Sequence, residues 1–234
     1  EGQALAGARA RELDVSEDTI RRDMREMAAQ GLLKRVHGGA LPVAPELPDL
    51  TVRRSVAHAE KAALGARAAA LIRPGQMVFL DGGTTTAEIV KHLPRDMALT
   101  IATHSPTIAA ELEHHARVEV ILIGGRLYRH SMVAVGAAAC AAVDAIRPDL
   151  FFLGVTAVHA RHGLSTGDFE EAAIKRHILS ASAETYVAVT EEKLDAASPC
   201  RIAPLEAITG LIVPVGIEAE RLSPYREAGV KVME

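Results

Sequence analysis

Behind residue 52, short apolar-rich runs alternate with longer stretches that show helical periodicity. The runs predict buried strands at 77–80, 98–102, 118–123, 150–153, 186–189, 211–213 and 230–232. The stretches between them predict helices near 55–72, 84–92, 105–114, 136–146, 169–183 and 217–228. Short buried strands that alternate with helices are typical of a mostly parallel, doubly wound sheet. We therefore predict one large α/β domain over residues 53–234.

The first 41 residues follow a different pattern. Residues 6–13 are compatible with a helix, and after a two-residue break Ser16 begins a second helix with carboxylates in its first turn. Gly31 ends that helix, and residues 33–41 predict a small hairpin that turns at its glycines. Together these elements predict a small helix-turn-helix domain with a wing over residues 1–41.

The second predicted helix presents an apolar face and a basic face. At about 100° per residue, Ile20, Met24 and Met27 share the apolar face and are expected to pack inward. The basic face could place side chains against the bases and phosphates of a major groove. Three arginines on one helix face are, however, more often a solvated surface. The basic face consists of Arg21, Arg22 and Arg25.

Three prolines within residues 42–48 mark the boundary between the two predicted domains. Proline cannot continue a helix, and closely spaced prolines favour an extended chain. We therefore predict a linker at residues 42–52, with the small domain in front of it and the large domain behind it.

Charge and composition narrow the class of protein. The net charge of −4, from 26 basic and 30 acidic residues, argues against a protein that coats nucleic acid along its whole surface. A local basic face is compatible with this charge, because the first 41 residues are neutral and the acidic excess lies behind them. No apolar run approaches the about 18 residues that span a bilayer, so we expect a cytoplasmic protein without membrane contact. Cys140 and Cys200 are expected to stay free thiols, and no metal site or cofactor is predicted.

Three turns at the ends of predicted strands carry candidate binding chemistry. The glycines of the first turn let successive backbone N–H groups converge, and the helix that follows adds partial positive charge, which suits a phosphate. Taken alone, a Gly-Gly turn is as often a plain tight turn. Because ligands bind outside the carboxyl ends of strands in open α/β sheets, we expect all three turns to face one crevice. The turns are Asp81, Gly82, Gly83, Thr84, Thr85 and Thr86; Thr103, His104 and Ser105; and Gly124 and Gly125.

Residues 15–24, which read VSEDTIRRDM, and residues 31–40, which read GLLKRVHGGA, strongly resemble the DNA-binding signature of DeoR-type bacterial transcriptional repressors. The resemblance extends over essentially the whole chain and implies operator DNA as a partner. Family members begin with a further helix that is missing before residue 5 here, so we expect the chain as given to bind operator weakly or not at all. The resemblance implies DNA contacts by Ser16, Thr19, Arg21, Arg22, Arg25, Lys34, Arg35 and His37.

The same resemblance implies that the large domain is similar in fold to phosphosugar isomerases and binds a phosphorylated sugar as effector. It adds Glu171, Lys175 and Lys193 to the ligand-binding residues of the three turns. Glu171 and Lys175 are also compatible with a surface ion pair at i, i+4, worth about 0.3–0.5 kcal/mol. Many relatives carry aspartates where this chain has Thr156 and Thr190, which should change the sugar hydroxyls that are recognised.

We therefore predict a transcriptional repressor of carbohydrate-metabolism genes that a phosphorylated sugar controls, and not an enzyme. One alternative is an isomerase-like enzyme with Glu171 as its base. Another is an oligomerisation module without DNA binding, built on small-residue faces of the helices at 55–72 and 136–146. We also expect the repressor to be a homo-oligomer. His159 and His162 are expected to lie in a solvated loop.

Overall fold

The computed structural model describes residues 4–42 and 49–234. These two ranges contain separate sets of helices and strands, and each set has its own apolar core. The predicted linker at 42–52 falls mostly on residues 43–48, which lie outside the described residues. Residues 50–52 were also assigned to the linker, but they belong to a short helix, Leu50–Arg53.

Residues 4–42 form a helix-turn-helix unit with a small three-stranded sheet. Its strands β2 and β3 pair as the predicted hairpin, and β1, which the sequence did not predict, adds antiparallel to β3. The predicted helix-turn-helix with a wing is thus confirmed. The elements are β1 (Ala4–Leu5), α1 (Ala6–Leu13), α2 (Glu17–Ala29), β2 (Leu33–Val36) and β3 (Gly39–Pro42).

Local chemistry explains where α2 begins and which of its residues are buried. The Ser16 hydroxyl accepts a hydrogen bond from the Thr19 amide at 3.1 Å, which satisfies an N–H group that the helix itself leaves unpaired. Ile20 and Met24 are buried in the small core. Met27 is 43% exposed, so the prediction that it packs inward was wrong. Met27 lies in the last turn of α2, where Ala29 is exposed as well.

Residues 49–234 form the large α/β unit. Its helices are α3 (Leu50–Arg53), α4 (His58–Ala69), α5 (Thr84–His92), α6 (Pro106–Glu111), α7 (Ala137–Val143), α8 (Phe169–Ala181) and α9 (Ala219–Glu227). Its strands are β4 (Met77–Leu80), β5 (Leu99–Thr103), β6 (Val118–Leu122), β7 (Arg126–Tyr128), β8 (Val133–Val135), β9 (Leu150–Phe152), β10 (Ala157–His159), β11 (Gly163–Thr166), β12 (Glu184–Ala188), β13 (Cys200–Ala203), β14 (Gly210–Ile212) and β15 (Lys231–Met233). Across the described residues, no helix has both the length and the apolar character that a membrane crossing requires.

Seven of these strands form one parallel sheet, in the order β15-β14-β12-β9-β4-β5-β6. The predicted α/β fold with a parallel sheet is therefore confirmed. The chain adds β5 and β6 on one side of β4, and then β9, β12, β14 and β15 on the other side. The direction of winding thus reverses between β4 and β9, and at such a switch point the loops after the two strands diverge and leave a crevice.

The sequence missed the smaller sheets. β7 and β8 form an antiparallel hairpin between α6 and α7, and β10, β11 and β13 form a second antiparallel sheet. His159 belongs to β10 and is buried, and His162 is half-buried, so the prediction of a solvated histidine loop was wrong. A two-stranded antiparallel pair with three residues per strand is too short for period-two patterning to be recognised.

Helices α4 and α5 pack closely through a glycine. A Cβ atom on Gly65 would collide with the Cβ atom and the backbone of Glu88 in α5. Because α5 begins at the end of β4, this contact fixes the distance of α4 from that strand end. The predicted helix at 55–72 is shorter in the structure. α4 begins at His58, after the left-handed residue Ala57 with a φ of 50°, and ends at Ala69.

Candidate functional site

A cavity of about 220 Å³ lies at the carboxyl ends of β4, β9 and β12. These three strands are neighbours in the sheet and include the switch point between β4 and β9. The loops after the three strands and α5 supply most of the wall, and α3 with the turn after it, α4, the β7–β8 turn, β11 and α8 supply the remainder. The cavity is large enough for a small organic molecule and too large to be a packing defect.

The turn after β4 forms one wall of this cavity, as predicted from the sequence. Gly82, Gly83 and the three threonines at 84–86 line the cavity, and α5 begins at Thr84. Gly83 has a φ of 131°, which favours glycine, and a Cβ atom on Gly82 would collide with Val133. The first N–H groups of a helix lack intrahelical acceptors, so this wall offers donors to an anion.

Asp81 lies behind the turn, fully buried, and does not line the cavity. Its Oδ1 atom accepts hydrogen bonds from the Gly82 amide at 2.7 Å and from Nε2 of His104 at 2.7 Å. Its Oδ2 atom accepts from the Gly154 amide at 2.8 Å and from Nζ of Lys175 at 2.8 Å. With four donors on two oxygens, the Asp81 carboxylate holds the loops after β4 and β9 together and has little capacity left for a ligand.

Lys175 is the cation that balances this buried carboxylate. Besides Asp81, its Nζ atom donates to the Gly154 carbonyl at 2.7 Å and lies 3.4 Å from Oε1 of Glu171. Glu171 accepts a further hydrogen bond at 2.6 Å from the Thr166 hydroxyl. Glu171 and Lys175 are buried, at 6% and 3% exposure, so their i, i+4 pair lies in the cavity wall and not on the surface.

The electrostatics of these three groups follow from their pairing. Burial alone would raise the pKa of Asp81, but the Lys175 ammonium and the His104 hydrogen bond hold that pKa far below its usual value. Burial opposes the charge on Lys175 as well, yet Asp81 and Glu171 raise its pKa. For Glu171, Lys175 and the Thr166 hydroxyl outweigh burial and lower the pKa. All three groups are therefore ionised at neutral pH.

Three further cations line the same cavity with carbonyl oxygens as their partners. Arg53 donates through Nη2 to the His130 carbonyl at 3.0 Å, and Lys193 donates to the Val155 carbonyl at 2.9 Å. Lys61 donates to two carbonyls, at 2.8 and 2.6 Å. Within residues 4–42 and 49–234, none of these three cations forms a salt bridge.

The cavity therefore carries an excess of positive charge. Four cationic and two anionic side chains line it, and the Asp81 carboxylate directly behind the wall pairs with Lys175, so four positive charges face three negative ones, a net charge of +1. Burial, followed by repulsion from Arg53 and Lys61, lowers the pKa of Lys193 to about 8. The charged side chains of the lining are Arg53, Lys61, Lys175, Lys193, Glu171 and Glu192.

The other two predicted turns do not reach the cavity in the structure. His104 supports Asp81 from behind and places Nδ1 2.9 Å from the Ala134 carbonyl, while Ser105 donates to the Met132 carbonyl at 3.0 Å. Thr103 is buried next to them and accepts a hydrogen bond from the Ser105 amide. Gly124 and Gly125 follow β6, which is separated from β12 by β9, β4 and β5, and Gly125 packs against the residues around β8. β5 and β6 lie on one side of the switch point, which explains why only the turn after β4 lines the crevice.

Several lining residues were not singled out in the sequence. Arg53 and Lys61 come from α3 and α4, and Ser131 and Thr166 come from the two hairpins that the sequence did not reveal. For Arg53 and Lys61, the only local signal in the sequence is a cluster of basic residues before α4, which resembles an ordinary solvated surface. Thr156, one of the two threonines that replace family aspartates, lines the cavity, whereas Thr190 is buried beside it.

The predicted DNA-contacting residues lie on α2 and on the β2–β3 hairpin. Six of them are exposed, and Thr19 and Lys34 are half-buried. Four of the eight have contacts in or next to α2: the Ser16 and Thr19 hydroxyls lie 2.8 Å apart, Arg21 pairs with Glu17 at 2.6 Å, and Nε of Arg25 donates to the Arg21 carbonyl at 3.3 Å. An exposed i, i+4 pair costs little to exchange for a phosphate contact. The six exposed residues are Ser16, Arg21, Arg22, Arg25, Arg35 and His37.

Comparison with known proteins identifies both units. Residues 8–45 match the DeoR-like helix-turn-helix domain, and residues 56–214 match the DeoR C-terminal sensor domain. The HTH-type transcriptional regulator GlpR of Haloferax volcanii is 35% identical over 224 residues, which cover 95% of this chain and 88% of that protein. The glycerol-3-phosphate regulon repressor of Haemophilus influenzae is 30% identical, over 88% of this chain and 82% of that protein.

Among solved structures, ribose 5-phosphate isomerase A from Neisseria gonorrhoeae resembles this chain with a TM-score of 0.43 and 12% identity, over 58% of this chain and 53% of that one. The matches to the helix-turn-helix and sensor domains are far stronger, because together they span most of the chain. They agree with the motifs at residues 15–24 and 31–40. The chain belongs to the DeoR family of DNA-binding transcriptional regulators.

Proposed function

We propose that this regulator senses a small phosphorylated sugar or polyol in the cavity at the ends of β4, β9 and β12, and that the ligand controls its binding to operator DNA. The observation that carries the proposal is the excess positive charge of the cavity, where three cations have only carbonyl partners. A phosphate monoester carries close to two negative charges at neutral pH, and the net positive charge of the site attracts it.

The geometry of the cavity supports a ligand with a phosphate at one end and hydroxyls at the other. Gly83 and the first turn of α5 supply backbone N–H groups and hydroxyls, which suit phosphate oxygens. Ser131, Thr156 and Thr166 supply hydroxyls elsewhere on the wall, which suit sugar hydroxyls. The name of the Haemophilus relative, a glycerol-3-phosphate regulon repressor, points to the same chemical class.

We propose that the sensor domain binds its ligand without catalysing a reaction on it. An isomerase would need Glu171 as a base that accepts a proton from carbon. Both carboxylate oxygens of Glu171 are occupied, by Lys175 and by the Thr166 hydroxyl, and the pKa of Glu171 is lowered. A carboxylate that is stabilised in this way is a weak base, so Glu171 is better suited to positioning Lys175 than to catalysis.

Control of DNA binding requires that the ligand prefer one of two arrangements of the protein. A ligand shifts such an equilibrium only by its differential affinity for the two arrangements. We place the protein in the cytoplasm, where both DNA and phosphorylated sugars are found, and we expect it to act as a homo-oligomer, because half-sites in operators are related by symmetry. The repressed genes would then be those for use of the sensed carbohydrate.

The test is a ligand screen followed by a DNA-binding measurement. The melting temperature is measured with glycerol 3-phosphate, fructose 1-phosphate, fructose 6-phosphate, glucose 6-phosphate and ribose 5-phosphate, each against its unphosphorylated counterpart and against inorganic phosphate. At least one ester should raise the melting temperature while its counterpart does not. The same ester should change the affinity for DNA fragments selected from a random pool, measured with this chain and with one extended by the upstream helix of DeoR-type repressors. A screen in which no ester binds would refute the proposal.

A further inference from the structure

Arg53 stands at the junction between the cavity and the segment that leads to the DNA-binding unit. It is the last residue of α3, which begins two residues after the stretch 43–48 that joins the two units in sequence. At the same time its side chain lines the cavity. No other cation of the cavity wall lies so close in sequence to residues 43–48.

The guanidinium of Arg53 is incompletely satisfied. Its Nη2 atom donates to the His130 carbonyl, but its Nε atom is buried and has no hydrogen-bond partner among the described residues. A buried donor without a partner is costly, and the guanidinium offers a planar fork that matches two oxygens of a phosphate. An anion in the cavity could therefore supply the acceptor that the protein itself does not provide.

A second contact ties the backbone of Arg53 to the same cavity. Lys61 on α4 donates through Nζ to the carbonyls of Arg53 and Val56. These carbonyls belong to the end of α3 and to the turn that follows it, so the Lys61 ammonium holds this short helix against α4. Lys61 is buried and lines the cavity as well. A ligand that attracts the side chain of Arg53 or Lys61 therefore also acts on α3.

On the basis of the proposed sensor function, we infer that Arg53 is a ligand-binding residue and also the link through which ligand occupancy is transmitted to α3. An anion that binds the Nε edge of Arg53 gives the guanidinium a second strong partner and fixes α3 against the cavity. Because α3 is the first described element after the DNA-binding unit in sequence, fixing α3 fixes the point at which the large unit begins. By reciprocity, DNA binding that favours another position of α3 weakens the ligand.

The experiment compares Arg53→Gln and Arg53→Lys with Arg54→Gln in the whole chain. Gln keeps an amide donor on a shorter side chain but carries no charge, whereas Lys keeps the charge and loses the fork. Arg54 is the exposed neighbour and does not line the cavity, so its variant is a matched control. The ligand is the ester that stabilises the wild type most in the screen above, and its Kd is measured by calorimetry.

The second measurement is hydrogen exchange of a peptide that spans residues 49–57, with each variant saturated by that ester. In the wild type and in Arg54→Gln, the ester should slow exchange in this peptide. In Arg53→Gln the Kd should rise at least about tenfold, and exchange should remain fast at saturation. Arg53→Lys should lose less affinity, and it should also fail to protect the peptide.

The outcomes separate the two ideas. If no ester stabilises the wild type, the sensor proposal and this inference both fail. If an ester binds the wild type and Arg53→Gln with the same Kd, only this inference is overturned. If Arg53→Gln binds weakly but still protects residues 49–57 at saturation, Arg53 is a ligand residue and the transmitted part is overturned. Equal melting temperatures of the ligand-free variants show that folding is intact. If Arg53→Gln melts at a lower temperature than the wild type, the Kd and the hydrogen exchange of Arg53→Lys are used in its place.

Discussion

One cavity wall carries two groups of charged side chains that differ in how their charge is balanced. Asp81, Lys175 and Glu171 are buried together, and their charges and hydrogen bonds are matched within the group. Arg53, Lys61 and Lys193 have only carbonyl partners in the described residues. The first group, called the matched group below, stabilises the fold. The second, the unmatched group, can still pair with an anion.

The partners of each charged group distinguish structural residues from binding residues in this pocket. A cation whose donors are all used cannot contact a ligand without first losing a protein partner, which is costly in a buried site. A cation that is held only by carbonyls keeps its full charge available. Family resemblance placed Lys175 and Lys193 together as ligand residues, but the structure gives them opposite surroundings.

The largest effect is expected from breaking the matched group. In Lys175→Met, Asp81 and Glu171 lose their shared cation and remain in the interior as uncompensated charges. The free energy of unfolding should fall by about 3–5 kcal/mol, measured by urea denaturation at pH 7. Arg226→Met is the control, because Arg226 and Glu234 are both exposed and pair at 2.7 Å; it should cost less than about 1 kcal/mol. Equal losses in the two variants would contradict a structural role for Lys175.

A smaller and opposite result is expected from the unmatched group. In Lys193→Met, a half-buried cation without a carboxylate partner is removed, so the free energy of unfolding of the ligand-free protein should stay the same or rise. The Kd for the stabilising ester should increase about tenfold, or about 1.4 kcal/mol, by calorimetry. Loss of stability without loss of affinity would show that Lys193 belongs with the structural residues.

The smallest effect is the pH dependence of ligand binding. The pKa of Lys193 is lowered to about 8, so this group loses its proton in the folded protein between pH 7 and 9. The second pKa of a phosphate monoester is about 6, so the ligand keeps its charge over this range. Affinity should therefore fall about fivefold from pH 7 to pH 9, if the Lys193 charge is worth about tenfold.

The sign for stability is opposite to the sign for binding. The folded-state pKa of Lys193 lies below the value of an unfolded lysine, near 10.4. Between pH 8 and that value the unfolded state binds more protons, so the contribution of this group to stability improves as pH rises. In Lys193→Met both trends should flatten. A fall in affinity that persists unchanged in this variant would assign the titration to another group.

The sequence predicted those parts of the fold that depend on long apolar patterns and on local chemistry. The central strands have uninterrupted runs, such as 77–80, which the structure reproduces without a shift. α5 was predicted with both ends correct, because Gly83 ends the preceding turn and residues 84–92 keep a helical period. Three-residue strands such as β7 and β8 carry too few positions for any pattern to stand out.

The site was predictable where its residues are contiguous. Residues 82–86 line the cavity because one strand end and one helix start lie together in sequence. The position of the switch point is a property of the strand order, which no local pattern encodes, so the turns at 103–105 and 124–125 were expected on the same crevice. Arg53 and Lys61 reach the cavity only through the packing of α3 and α4, and their local sequence does not distinguish them from surface residues.

The tight packing at Gly65 has a consequence for how ligand specificity changes during evolution. Gly65 lies one turn after Lys61 on α4 and touches Glu88 on α5, so it sets the separation between a cation of the wall and the helix that begins at Thr84. A mutation to alanine would push these helices apart and widen the cavity without altering any residue that lines it. A lineage of such regulators could thus acquire a larger effector through a position that no comparison of binding residues would reveal.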